Sequence, residues 1–318
     1  MNYQQFLEYR EEMKLQYPNL LDLADSNLYQ YFSKLEISSE ISVGHKNGKV
    51  YRCHLVEDYL KAFYLPIEWK SKVGASQGVR QSLTVLFSEL NDWIIPQDVY
   101  PFYADALVKA GKEHKTYQTL IDGNIFTNIP NGTLLVTYPL KPKGMDLNPH
   151  EWQALRDYVK KDKNNYIVFD LVYWTKFNFP KEVIEIPNDQ VVILHSLSKM
   201  FLIPNHFGVA ILPSNSLGQT LREKFKGLQK DEMKLQKAYN ALHHFKTLPD
   251  LVKIQIQKNI NFLNTKNILI PKSEEPTYLF YTKKSHMDWL KDGVLTIPES
   301  VFGGTGSGSI LSVLIQIQ

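Results

Sequence analysis

The sequence predicts an α/β protein with one large domain and a second, smaller one. Its 318 residues, 43% of them hydrophobic and 22% charged, are enough to bury a large core. Short runs of β-branched and aliphatic residues, at 166–170 and 191–195, read as buried strands with polar side chains at their carboxyl ends. Segments with apolar residues at helical spacing, such as 51–64, lie between predicted strands.

Composition argues against several classes of protein. The formal charge of +3 is spread along the chain, and only five of the 36 basic residues are arginines, so nucleic-acid binding has little support. The single Cys53 excludes an internal disulfide, and the first residues lack the pattern of a signal peptide. No apolar stretch is long enough to cross a bilayer. We therefore expect a soluble cytoplasmic protein, and we predict no metal site.

The first third of the chain predicts a ligand site at the start of a helix. A helix carrying Phe6 and Met13 is followed by the segment 21–27, the helix 51–64 and a strand at 69–74. The next helix is expected over 76–90, with Ser76 as its N-cap. A strand, a Gly-Ala-Ser turn and a helix N-terminus present backbone N–H groups and the positive end of the helix dipole. This arrangement predicts a phosphate site, with an ordinary capped helix as the alternative.

Two proline-rich segments follow. Residues 93–103 contain an aromatic cluster and precede a helix that ends at Gly111, and residues 132–144 form a strand and a Pro/Gly-rich turn. Asn148 and Pro149 then open another helix.

The centre of the predicted chemistry is Lys199. The strand at 191–195 and the polar residues after it deliver this amine to a strand's carboxyl end, where open α/β sheets bind ligands. A second apolar run at 207–212 predicts the next strand. Taken alone, a lysine at a strand end is usually a surface residue. Asp170 and Tyr173, at and after the end of the strand 166–170, favour a functional role.

These residues carry a resemblance to a known family. Asp170-x-x-Tyr173 followed by Ser196-x-Ser-Lys199 resembles the active-site pattern of fold-type I pyridoxal-phosphate enzymes, in particular the class I/II aminotransferases. The resemblance implies that Lys199 binds pyridoxal 5'-phosphate covalently and later moves a proton. It also implies that Asp170 pairs with the pyridine nitrogen and that Tyr173 binds the phenolic oxygen.

Other cofactor contacts are implied by the same resemblance, through residues that match the family's segments one by one. The phosphate would be held by the turn at Ala75, Ser76 and Gln77 and by Ser196. Tyr100, in a segment similar to the family's Tyr-Pro-x-Tyr, would stack on the pyridine ring.

Three positions depart from the family's pattern. Lys141 replaces an asparagine expected beside the phenolic oxygen, and the alternative is that Lys141 points to solvent. His206 would partly replace an arginine on the phosphate. Leu311 aligns with the arginine that holds the substrate's α-carboxylate, and no arginine occurs after Arg222. The alternative is that Arg10, Arg52 or Arg80, or a residue of the partner subunit, folds into the site.

The resemblance also implies the architecture. A large domain, residues 41–213, would bind the cofactor on a mostly parallel sheet, and residues 1–40 and 214–318 would form a small α+β domain. The latter would contain a Lys-rich helix over 221–244, strands at 277–281 and 293–298, and a closing strand near the end. Family members build their site at a dimer interface, so a homodimer is implied.

The leading hypothesis is a pyridoxal-phosphate-dependent aminotransferase acting on an unidentified amine or amino acid. Two alternatives stay open at this point: a pyridoxal-phosphate-dependent decarboxylase or other lyase, and a degenerate cofactor-binding protein without turnover.

Overall fold

A computed structural model describes residues 1–24, 51–99, 101–121, 123–268 and 279–313. Within these ranges, no helix is long and apolar enough to cross a membrane. The helices are α1 (Tyr3–Gln16), α2 (Arg52–Ala62), α3 (Val79–Glu89), α4 (Phe102–Lys109), α5 (Pro149–Lys161), α6 (Lys181–Glu185), α7 (Leu197–Met200), α8 (Ser216–Phe225), α9 (Glu232–His244), α10 (Leu248–Thr265) and α11 (His286–Lys291). The strands are β1 (Leu21–Asp22), β2 (Val73–Ser76), β3 (Trp93–Pro96), β4 (His114–Tyr117), β5 (Thr133–Thr137), β6 (Tyr166–Asp170), β7 (Val191–Ser196), β8 (Gly208–Ile211), β9 (Leu279–Thr282), β10 (Val294–Leu295), β11 (Ile297–Pro298) and β12 (Ser309–Ser312).

A seven-stranded sheet in the order β2-β8-β7-β6-β5-β3-β4 forms the centre of the molecule. The five strands from β7 to β4 are parallel, whereas β8 runs antiparallel to both of its neighbours. The predicted α/β fold with a mostly parallel sheet is therefore confirmed. Because β7 and β8 are adjacent and antiparallel, the segment 197–207 that joins them stays at the carboxyl end of β7 and places Lys199 there.

Helices cover both faces of this sheet. Val136 and Phe169 belong to a core shared with α2, α5, α9 and α10, and Leu135 and Val168 belong to a second core shared with α3, α4 and α8. Successive strand residues point to opposite faces, so a strand covered on both sides is apolar throughout. This explains why β5, β6 and β7 are almost continuous apolar runs in the sequence.

Elements from the two ends of the chain pack together, in the part of the chain expected to form the small domain. Strands β11, β12 and β9 form an antiparallel sheet. Phe6 of α1 packs with Phe302 and Ile310 in the core of this domain. Strand β1 pairs in parallel with β10. The residues 25–27 and 277–278 of the predicted segments lie outside the described residues.

Two local expectations differ from the structure. Residues Ile67–Lys72 form a 3₁₀ helix, and the strand expected at 69–74 is instead β2, which pairs with β8. The helix expected over 221–244 is two helices, α8 and α9, with Gly227 at a φ of +81° between them. Helix α8 packs on α3 and β2.

Candidate active site

A cavity of about 800 Å³ lies at the carboxyl ends of β6 and β7. Asp170, Tyr173 and Lys199 line it from the large sheet, and Ile297 and Phe302 line it from the small domain. The structure thus brings together the three residues predicted to be catalytic. This is the position where open α/β sheets bind ligands.

Lys199 lies on the short helix α7, directly after β7. Ser196 caps this helix, because its Oγ accepts the Ser198 N–H at 3.4 Å and lies 2.6 Å from Ser198 Oγ. The Lys199 Nζ lies 5.0 Å from the ring centroid of Tyr173. Burial lowers the pKa of Lys199 to about 7, helped by the charges of Lys141 and Arg80 and opposed by Asp170. An amine with this pKa is partly uncharged near neutral pH and can act as a nucleophile.

Asp170, the last residue of β6, holds its carboxylate among three donors. Its Oδ1 accepts the Val172 N–H at 2.9 Å. Its Oδ2 accepts the Tyr103 hydroxyl at 2.6 Å and lies 3.5 Å from Lys141 Nζ. Burial and the Asp170 charge raise the pKa of Tyr103 well above its ordinary value, so this hydroxyl remains a donor. A carboxylate has about four lone-pair sites, so a further donor can still bind.

Lys141 points into the cavity, which excludes the interpretation that it faces solvent. Its amine lies 3.5 Å from Asp170 Oδ2 and 4.5 Å from the ring centroid of Tyr173. The backbone N–H of Lys141 donates to Thr137 Oγ1, and its backbone carbonyl accepts from Thr119 Oγ1, both at 3.2 Å. Burial lowers the pKa of Lys141, and Asp170 opposes this shift.

The turn after β6 orients Tyr173. Trp174 donates its N–H to the Leu171 carbonyl at 2.9 Å. The Trp174 carbonyl lies 3.0 Å from His195 Nε2, and His195 Nδ1 lies 2.6 Å from the Tyr59 hydroxyl. Burial lowers the pKa of His195 to about 4. A neutral imidazole has one donor and one acceptor, so Nε2–H donates to Trp174 and Nδ1 accepts from Tyr59.

The helix that follows the predicted phosphate turn begins two residues later than expected. Gly78, at a φ of +153°, precedes α3, so Ser76 is not the N-cap. Ser76 is fully buried, and its Oγ lies 2.8 Å from Ser82 Oγ. A Cβ on Gly208 would lie 2.7 Å from Gly78 Cα, so this turn and β8 are in close contact. Gln77 and Gly78 line the cavity.

Several other residues expected to bind the cofactor do not line the cavity. Ala75 is buried in the core, and Ser196 is fully buried with its hydroxyl at Ser198. Neither residue lines the cavity, and neither does Ser76. His206 points back toward its own loop, since its Nδ1 lies 2.7 Å from the Pro204 carbonyl. His206 does not line the cavity, whereas the nearby Pro204 and Asn205 do.

Tyr100, the predicted stacking residue, lies outside the described residues. Leu311, expected to occupy the place of the carboxylate-binding arginine, is buried in the core beside Phe280 instead. The next residue, Ser312, lines the cavity, because neighbouring residues of a strand face opposite sides.

Two polar cavity residues, Tyr103 and Ser198, were not assigned from the sequence. Tyr103 could have been found as the second tyrosine of the Tyr-Pro-x-Tyr segment. Ser198 lies within the Ser-x-Ser-Lys motif itself. Arg80 was one of several alternatives for the carboxylate contact, and no local pattern distinguished it from the others.

The donors of this cavity fit pyridoxal phosphate. The cofactor needs a lysine amine for its aldehyde, an opposite charge for its ring nitrogen and N–H donors for its phosphate. Lys199, Asp170 and the turn at Gln77 and Gly78 lie around one cavity. The N–H groups of the turn donate to Gln81 Oε1 at 2.8 Å and to Ser76 Oγ at 3.2 Å, so a bound phosphate would replace these acceptors. The ion pair between Lys141 and Asp170 is the feature that the resemblance does not account for.

Solved structures with a similar fold include aminotransferases. An aspartate aminotransferase from Thermotoga maritima is 14% identical over 100% of this chain and 93% of its own, with a TM-score of 0.72. A protein from Escherichia coli described as having a methionine aminotransferase function is 17% identical over 96% of this chain and 92% of its own, with a TM-score of 0.69. These similarities confirm the fold-type I architecture. No curated protein sequence matches the chain significantly.

The sequence itself also matches a family. Residues 74–230, from the turn before α3 to the segment before α9, match the family model described as "Aminotransferase class I and II". This range contains Asp170, Tyr173 and Lys199. Over this range the chain is similar to the class I and II aminotransferases, a family of pyridoxal-phosphate-dependent enzymes.

Proposed function

We propose that this aminotransferase binds pyridoxal phosphate covalently through Lys199 and transfers the amino group of a substrate that remains to be identified. The observation that carries the proposal is the position of Lys199. Its amine lies in the cavity with Asp170, 5.0 Å from the ring of Tyr173, and burial lowers its pKa to about 7.

Each residue would have a defined task. When bound, the cofactor supplies the electron sink for the reaction. Lys199 would bind the cofactor's aldehyde and, once displaced by the substrate, carry a proton on its Nζ. Asp170 would keep the ring nitrogen protonated, because a nearby opposite charge favours the charged form. Tyr173 would bind the phenolic oxygen, and Gln77 and Gly78 would contribute to the phosphate site.

The closing strand sets a limit on the substrate. Leu311, which aligns with the family's arginine for the α-carboxylate, is buried, and its neighbour Ser312 lines the cavity; neither side chain offers a bidentate charged contact. We therefore expect aspartate, glutamate and alanine to react poorly. The substrate's carboxylate, if it has one, would be held by another residue.

The homodimer and the cytoplasmic location belong to the same proposal. The homodimer is supported by the resemblance to family members that build their site at a dimer interface. The location rests on sequence composition. Sedimentation of the purified protein and fractionation of cells test these two points separately.

The function is tested by absorbance titration of purified protein with a panel of amines and amino acids. Conversion of the bound cofactor to its amine form by at least one compound, reversed by an oxo acid or aldehyde, is the expected result. Release of carbon dioxide instead would identify a decarboxylase, and cofactor binding without conversion by any compound would favour a degenerate protein. Lys199→Ala should abolish the conversion. Lys181→Ala, on the exposed face of α6, is the control.

A further inference from the structure

Arg80 lies in the first turn of α3 and lines the same cavity as Lys199. Its guanidinium carbon lies 5.2 Å from the ring centroid of Phe102, the first residue of α4. An aromatic ring attracts a guanidinium through its flat face. The N–H donors lie in the guanidinium plane and match the geometry of a carboxylate.

The five arginines of the chain all lie in described residues, and Arg80 is the one that lines this cavity. Arg10 forms an ion pair at α1. Arg52 and Arg222 line a separate, smaller pocket. Arg156 lies on α5, away from the cavity lining. An arginine contact to a substrate within this chain's described cavity must therefore come from Arg80.

The opposite wall of the cavity is uncharged. The C-terminal elements contribute Leu279, Ile297, Phe302 and Ser312 among the described lining residues, and none of these side chains carries a charge. Leucine, isoleucine and phenylalanine instead favour an apolar body on the ligand. The closing strand, where the resemblance places a cation, therefore contributes no charge to the described cavity lining.

The charges around the cavity favour an anionic ligand. Among the described lining residues, Arg80, Lys141 and Lys199 are basic, and Asp170 is the one acid. Lys141 is paired with Asp170. The positive charge of Arg80 lowers the pKa of Lys199, so the two groups interact across the cavity. A cleft with an excess of one charge concentrates ligands of the opposite charge.

We propose that Arg80 binds the carboxylate of the amine substrate, and that this substrate has an apolar body and a single carboxylate. The inference rests on the proposed function, because it names what the transferred amine carries. Arg80, on α3, would bind the carboxylate in place of the arginine that the closing strand lacks. Aspartate, with two carboxylates, and alanine, with a small side chain, would both fit this cavity poorly.

Calorimetry with two unreactive probes tests the contact without turnover. The purified protein should bind 3-phenylpropionate more tightly than 3-phenylpropanol. Arg80→Gln should weaken binding of the acid about ten- to hundredfold, as expected for loss of one or two charge-assisted hydrogen bonds, and leave the alcohol unchanged. Arg156→Gln is the control and should bind both probes as the unaltered protein does. Equal binding of acid and alcohol by the unaltered protein, or an unchanged acid affinity in Arg80→Gln, would overturn the proposal.

Matched amine substrates extend the test to the reaction. The ratio of kcat/KM for phenylalanine over phenethylamine, or for 6-aminohexanoate over hexylamine, should fall by a similar factor in Arg80→Gln. A constant ratio in both pairs would contradict the assignment. Weaker binding of pyridoxal phosphate with unchanged binding of pyridoxal would instead assign Arg80 to the cofactor phosphate and also overturn it.

The two proposals fail in different ways. Labelling of Lys199 by borohydride reduction in Arg80→Gln shows that the cofactor is bound, whatever happens to carboxylate selectivity. Absence of this labelling in the unaltered protein defeats the proposed function, while the binding of 3-phenylpropionate still reports on Arg80.

Discussion

Lys141 Nζ lies 3.5 Å from Asp170 Oδ2, with 12% of the lysine side chain and 2% of the aspartate side chain exposed. The family places a neutral asparagine where this chain has Lys141, and it uses the carboxylate of Asp170 for the cofactor's ring nitrogen. In this chain an ammonium contacts the same carboxylate. Loading of the cofactor would therefore require Asp170 to serve two cations or Lys141 to move away.

Replacing Lys141 by asparagine should raise the pKa of Lys199 above about 7. The change removes a neighbouring positive charge and leaves Asp170 free to stabilise the ammonium of Lys199. The pH dependence of acetylation of Lys199 in the cofactor-free protein, followed by peptide mass analysis, gives the midpoint. Lys143→Asn, whose exposed amine contacts the Ile121 carbonyl, is the control and should leave the midpoint unchanged. An unchanged midpoint in Lys141→Asn would mean that the two amines do not interact.

Replacing Asp170 by asparagine should weaken cofactor binding about ten- to hundredfold, as expected for loss of a charge-assisted hydrogen bond. It should also destabilise the fold by about 3–5 kcal/mol, because Lys141 loses its buried partner. The double change Asp170→Asn with Lys141→Asn separates the two effects. It should recover stability in urea but not cofactor affinity. Recovery of both would show that Asp170 acts on stability alone.

Replacing Gly208 by alanine should disturb the turn at Gly78, since the new Cβ would lie 2.7 Å from Gly78 Cα and 3.0 Å from its carbonyl carbon. Backbone atoms cannot move aside as a flexible side chain can, and we expect a stability loss of about 1–3 kcal/mol. Binding of pyridoxal phosphate should fall more than binding of pyridoxal, because we propose that the turn contributes to the phosphate site. Equal losses for the two aldehydes would mean that the turn does not hold the phosphate.

His195 predicts a pH dependence of stability. Burial lowers its pKa in the folded protein to about 4, below the ordinary value of 6.5. The unfolded chain then binds more protons than the folded one between these values. The contribution of His195 is complete above about pH 6.5 and is lost as the pH falls through about 4, a change of about 3 kcal/mol. Urea unfolding of His195→Gln should be less sensitive to pH over this interval than unfolding of the unaltered protein. Identical slopes would show that the imidazole is not held neutral.

The sequence predicted most of the elements that carry the site. Strand β6 ends at Asp170 as expected, and Asn148 caps α5 with the capping box that its spacing to Glu151 allows. These features are local, since they depend on apolar runs and on residues three positions apart. The antiparallel direction of β8 could not be obtained in this way, because strand direction depends on how the whole chain folds.

Errors occurred where one or two residues decide which way a side chain points. Ser76 is a common N-cap type, yet the helix begins at Val79 because Ser76 still belongs to β2. Leu311 and Ser312 differ by one residue, and a shift of one residue in a strand exchanges the core side for the cavity side. Arg80 enters the cavity through tertiary packing, which no local pattern encodes.

The central claim is that Lys199 holds the cofactor covalently. Borohydride reduction of the protein loaded with pyridoxal phosphate, followed by peptide mass mapping, measures this directly. We predict a single pyridoxyl adduct on the peptide that contains Lys199, which is absent from Lys199→Ala. An adduct on Lys141, or no adduct on any lysine, would contradict the account.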